Sequence, residues 1–169
     1  TNMAYMFSNS SVTNVDLSAL NTSKVTDMSG MFYETPNLTS VNLNDIDTSK
    51  VTNMFQMFYA SAISSIDLSG LNTSKVENIG QMFANTRNLE TVDLSPLDLS
   101  SVTSAEVLLN NSNVKELDLT GISWDNLEWY PFHSMFTGAK KLEVLNANNM
   151  SLQKVTSIGG YSDGFGQLN

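Results

Sequence analysis

A phrase of a dozen residues returns along this chain at nearly constant spacing, and that recurrence limits the fold more than any single motif. "NTSKVTDMSGMF" at 21–32 comes back as "DTSKVTNMFQMF" at 47–58 and as "NTSKVENIGQMF" at 72–83. Followed by its Met-Phe pair, the unit falls at Met6-Phe7, Met31-Phe32, Met57-Phe58, Met82-Phe83, Leu108-Leu109 and Met135-Phe136, in steps of 25, 26, 25, 26 and 27 residues. A second marker keeps similar time: Val15-Asp16-Leu17, Val41-Asn42-Leu43, Ile66-Asp67-Leu68, Val92-Asp93-Leu94, Leu117-Asp118-Leu119 and Leu145-Asn146-Ala147. One such unit cannot bury its apolar face alone, so the copies must stack on one another.

Two hydrophobic rhythms alternate within a copy. Val25, Met28, Met31 and Phe32 stand at i, i+3, i+6 and i+7, which predicts one face of a short helix. Thr22 and Ser23 can cap it, and Ser74 to Glu77 has the form of a capping box. Leu38, Val41, Leu43 and Ile46 follow in the spacing L-x-x-L-x-L-x-x-L, whose centre alternates as a short strand does. The expected fold class is an α/β repeat: a leucine-rich-repeat solenoid with a parallel sheet on one face and short helices on the other. Six repeats would occupy residues 1–154, and 155–169 would form a partial repeat or a C-terminal cap. One departure from the usual pattern puts apolar Leu20, Ile46, Leu71, Leu97 and Ile122 where an Asn is common. Asn21, Asp47, Asn72 and Asp98 come one position later and are assigned to turn hydrogen bonds.

Charge and composition exclude several function classes. Seventeen acidic residues against eight basic ones leave a net charge of -9, which argues against a nucleic-acid partner. With no cysteine and one histidine, disulfides and Cys- or His-rich metal sites are excluded. The apolar runs are too short to insert in a membrane. No nucleophile–base pair or phosphate-binding loop stands out, so neither an enzyme nor a cofactor is expected.

The wording of the repeat resembles that of the BspA-like leucine-rich-repeat surface proteins. The three phrases quoted above carry the helix part, and "NLTSVNLNDI", "AISSIDLSGL" and "NLETVDLSPL" carry the strand part, over nearly the whole chain. A Cys often found after Met-Phe in that family is replaced here by Thr35, Ser61 and Thr86. The resemblance implies a secreted or wall-attached protein of Gram-positive or other host-associated microbes, an adhesin of which this chain is a piece.

Candidate sites lie where the repeat exposes polar groups or breaks its own rule. The methionines at helix-face positions are assigned to the core, since Ile79 and Leu108 stand at equivalent places. Lys24, Lys50 and Lys75 read as a solvated column. In the strand column, Asp16, Asn42, Asp67, Asp93 and Asp118 should project from the sheet about 5 Å apart, as a strip for cations, basic peptides or glycans or simply as a solvated face. Copy six reads "SWDNLEWYPFHSMF", and Trp124, Trp129, Tyr130 and His133 within it form a second candidate surface, with Trp124 to Glu128 taken as extra material. The expected function is a monomeric extracellular binding module for a host protein, a glycan or another microbial surface. The alternative is a non-binding stalk that displays another domain.

Overall fold

A computed structural model describes residues 1–127 and 134–153 of this chain. The repeat does stack: each copy is one coil, laid parallel on the next at an offset of one sequence period. Strands β1 (Asn14–Asp16) and β2 (Ser40–Asn42) pair in parallel and form one small sheet. Strands β3 (Thr91–Asp93), β4 (Glu116–Asp118) and β5 (Val144–Asn146) form a second, also parallel. The register is homologous throughout, with Val15 opposite Val41, Val92 opposite Leu117, and Leu117 opposite Leu145. Ile66 to Leu68 of the third coil adopt no strand pairing, so the single sheet expected across all copies is two.

The larger correction concerns the Met-Phe segments. No helix exists among the described residues, and with it goes the leucine-rich-repeat solenoid that carries helices on one face. The physical reason lies in where the backbone groups bond. In an α-helix every interior N–H is spent on the carbonyl four residues back. Here Met28, Gly30, Phe32 and Glu34 donate instead to the carbonyls of Asn53, Phe55, Met57 and Tyr59 on the next coil, at 2.8–2.9 Å. The alternate residues Met31 and Tyr33 close three-residue turns onto Met28 and Gly30. The third coil repeats the scheme onto the fourth, with Met54, Gln56, Phe58 and Ala60 donating to Asn78, Gly80, Met82 and Ala84. A flattened run of turns thus satisfies the backbone across the stack.

Left-handed residues every four positions keep that run from winding into a helix. Tyr5 and Asn9, Gly30 and Glu34, Gln56 and Ala60, Gln81 and Asn85, Val107 and Asn111, then Ser134 and Gly138 all have φ between 50° and 75°. Glycine and asparagine accept this conformation readily, but Val107 is β-branched and pays for it with steric strain at φ 60°. Val107→Asn is therefore expected to stabilise the protein by about 1 kcal/mol, read as a raised urea midpoint at unchanged m value.

The burial expected of the repeat phrase is present although the helix is not. Val25, Met28, Met31 and Phe32 are all at most 2% exposed, as are Val51, Met54, Met57 and Phe58 in the next coil. Phe7, Phe32, Phe58 and Phe83 stack in a column with ring centroids 5.4, 5.3 and 5.7 Å apart and planes within 9° of parallel. Beside it, buried threonines tie coil to coil. Thr22 Oγ1 accepts from the Asp47 N–H at 2.8 Å, Thr48 Oγ1 accepts from the Asn72 N–H at 2.8 Å, and Thr73 Oγ1 donates to the Asp98 carbonyl at 2.9 Å. The Ser-x-x-Glu of Ser74 to Glu77 caps no helix, since Ser74 N–H and Oγ both bond Asn72 Oδ1. Lys24, Lys50 and Lys75 are exposed. Among the described residues no helix is long and apolar enough to cross a membrane.

Candidate functional site

The strand column projects outward as its alternation requires, but its carboxylates already have a local task. Oδ1 of Asp16, Asn42, Asp67, Asp93 and Asp118 accepts the N–H two residues on, from Ser18, Asn44, Ser69, Ser95 and Thr120, at 2.8–3.1 Å. Each side chain thus forms the turn that carries the chain off its strand. The sequence signal for this is the Asp-x-Ser/Thr spacing, which recurs at 16–18, 67–69, 93–95 and 118–120. The same device shapes the next corner, where Asn21, Asp47, Asn72 and Asp98 accept from Ser23, Ser49, Ser74 and Ser100, as assigned from sequence.

Hydrogen bonding sets the electrostatics of the column. The Ser18 backbone N–H holds the Asp16 carboxyl below the usual carboxylate range. The Ser69 side chain does the same for Asp67, and the Thr120 side chain for Asp118. Asparagines in the column donate to the acid of the preceding coil: Asn42 Nδ2 to Asp16 Oδ1 at 3.3 Å, and Asn146 Nδ2 to Asp118 Oδ2 at 3.5 Å. Among the described residues of the column, strand pairing sets two acids directly opposite one another once, at Asp93 and Asp118. Over β1 and β2 the surface forms a shallow trough of about 490 Å³, lined by Asn14, Val15, Asp16, Ser40, Val41 and Asn42. A row of outward-facing oxygens at coil spacing suits weak, repeated polar contacts. Among the described residues no group of three or more His, Asp or Glu side chains is placed to hold a metal ion.

The second candidate surface divides. Trp124 is buried, at 0% exposed, and belongs to the regular coil. Leu127 N–H donates to the Trp124 carbonyl as Val25, Val51, Val76 and Val102 donate to those of Thr22, Thr48, Thr73 and Leu99. Trp124 therefore occupies the position of the buried threonines, and Leu127 that of the valines. Met135 stands eight positions after Leu127 where Met31 stands six after Val25, so the two extra residues of copy six fall after Leu127. Trp129, Tyr130 and His133 lie outside the described residues, as does the tail from 154 onward. The strand column and Trp124 are thus on different sides of the coil: one on the outer face of the sheet, the other in the core.

The family described as "Mycoplasma protein of unknown function, DUF285" matches residues 1–124 and, in a second frame, residues 64–165. The two frames overlap, as a repetitive chain allows. No curated protein and no solved structure matches the chain.

Proposed function

We propose a function from the premise that this chain belongs to the DUF285 family: it is a binding module of a BspA-like microbial surface protein, placed outside the cell. The observation that carries this reading is the row of turn-forming oxygens on the strand face. Each acid commits Oδ1 to its own turn, and the row repeats along the stack at the strand spacing of about 4.8 Å. A partner with regularly spaced cationic or donor groups, a host protein or another cell's surface, would meet several identical contacts at once. Such contacts are individually weak and gain strength by multiplicity.

Asparagine is the right probe, because Asn42 already holds its turn with the same Oδ1 geometry. Changing Asp16, Asp67, Asp93 and Asp118 together to Asn removes four charges and keeps every turn acceptor. The four-fold variant is expected to fold as the wild type does and to lose at least tenfold in binding to immobilised host matrix proteins. Wild-type binding in the variant would remove the strand face from the function. A second reading, a stalk without a ligand that displays another domain, is favoured by one observation: Trp124, offered by the sequence as an anchor, is core. It predicts that neither protein binds.

A further inference from the structure

Corner length, measured from the stacked aromatic to the next core residue, alternates along the chain. Phe32 to Leu38 and Phe83 to Leu89 are six-residue steps, whereas Phe7 to Val12, Phe58 to Ile63 and Leu109 to Val114 are five. A short corner between two long ones recedes. At the third coil this leaves an open hollow of about 430 Å³, floored by Ala60, Ser61 and Ala62 and walled by Pro36 on one side and Arg87 and Asn88 on the other. Tyr59, Glu34 and Asn85 complete it. A second hollow of about 410 Å³ over the short corner of the first coil shares Glu34, Pro36 and Ala60 with it, so the two adjoin across the second coil.

The floor carries a buried hydroxyl without a partner, one of two in its column. Position 61 belongs to a column in which Ser10, Thr35 and Thr86 each donate a hydroxyl to the carbonyl three residues back, at 2.6–2.8 Å, whereas Ser61 and Ser112, three residues after Phe58 and Leu109, do not. Ser61 is only 3% exposed, yet its Oγ has no hydrogen-bond partner among the described residues, and the residue borders the hollow. A buried hydroxyl without a partner carries a desolvation penalty, which a turn of the Ser61 side chain toward a polar ligand in the hollow would relieve. Around it stand a half-buried tyrosine ring, a proline ring, one carboxylate, one guanidinium and the two amides of Asn85 and Asn88. Asn88 is already braced across the floor, Nδ2 donating to the Ala62 carbonyl at 3.3 Å. Tyr33 stacks behind Tyr59, centroids 4.9 Å apart and planes 7° from parallel, and fixes that ring.

We infer that this groove binds a neutral pyranose unit of a linear glycan. A pyranose presents an apolar C–H face, which suits the rings of Tyr59 and Pro36, and an edge of vicinal hydroxyls, which suits the planar forks of Glu34, Arg87 and Asn88. Opposite charges in one hollow disfavour a strongly anionic or cationic ligand, and a single Arg there is no nucleic-acid footprint. An open, shallow site binds one sugar weakly, and the adjoining hollow lets a linear glycan engage a second unit. The inference rests on the surface-binding reading but names a different face of the coil from the strand column.

The test is a titration of the full chain, labelled with nitrogen-15, with methyl β-glucoside, methyl β-galactoside and methyl β-N-acetylglucosaminide. At least one glycoside is expected to shift the amide resonances of residues 60–62 and 87–88, with a Kd on the order of 1–10 mM. Arg87→Ala, an exposed change, should weaken it about tenfold, and Ala62→Trp, which fills the hollow, should abolish it. Failure of all three glycosides to move 60–62 and 87–88, or an unchanged titration in both variants, overturns the inference. The matrix-binding assay separates it from the function it rests on. Matrix binding without glycoside shifts leaves the surface-binding reading standing and the groove refuted. Glycoside shifts together with wild-type matrix binding by the four-asparagine variant do the reverse for the strand face.

Discussion

Phe58→Ala is expected to cost about 3–5 kcal/mol, the range for truncating a large buried aromatic side chain. Phe58 is 0% exposed and lies between Phe32 and Phe83, stacked on both. Its removal opens a cavity in the middle of the column, and the neighbouring coils cannot close over it. Each is held at fixed pitch by backbone bonds such as Phe32 N–H to the Met57 carbonyl and Phe58 N–H to the Met82 carbonyl. Thermal unfolding monitored by circular dichroism should show a midpoint lowered by roughly 10 °C. Phe58→Leu is the matched control. Leu109 already fills the same position in the fifth coil, fully buried, so the leucine variant should lose no more than about 1.5 kcal/mol. Equal losses in the two variants would show that cavity volume is not what the column depends on.

The same column shows how much of the fold was legible in the sequence. Period and stacking follow from the recurrence, and the core face follows from the spacing of Val25, Met28, Met31 and Phe32, all four of which are buried. That spacing leaves the backbone ambiguous, because a run of turns with a left-handed residue every four positions buries the same side chains as a short helix. The distinguishing signal is faint: Gly or Asn recurs at the left-handed places, at Asn9, Gly30, Asn85, Asn111 and Gly138, but Tyr5, Gln56, Ala60 and Val107 stand there too. Tertiary bonding between coils overrides local propensity at those residues. The strand column was legible as exposed and illegible as structural, although the spacing from Asp67 to Ser69 is a turn signature in itself. The corner groove escaped a reading that followed the apolar anchors. Its walls come from residues between the anchors, and only the alternation of five- and six-residue corners marks them.

Trp124→Ala should be the other costly change, again about 3–5 kcal/mol, and its pattern will differ from that of Phe58→Ala. Trp124 is the largest fully buried side chain among the described residues. It stands in the column of Thr22, Thr48, Thr73 and Leu99, so its indole fills space that a smaller side chain fills in each of those coils. Its backbone N–H donates to the Ser151 carbonyl at 2.9 Å, and Asp125 beside it accepts from Ser151 Oγ at 2.7 Å and from the Gln153 N–H at 2.8 Å. The segment that carries the indole thus holds the coil that contains β5. In a stack whose coils touch only their neighbours, loss at one coil propagates as local opening from that side. Hydrogen exchange should then accelerate first at residues 142–151 of the variant, with 28–34 and 54–60 still protected. Under an anchor role for Trp124 the stability would stay near wild type and only partner binding would fall. A fully buried indole predicts the opposite result, with folding affected first and any loss of binding following from it.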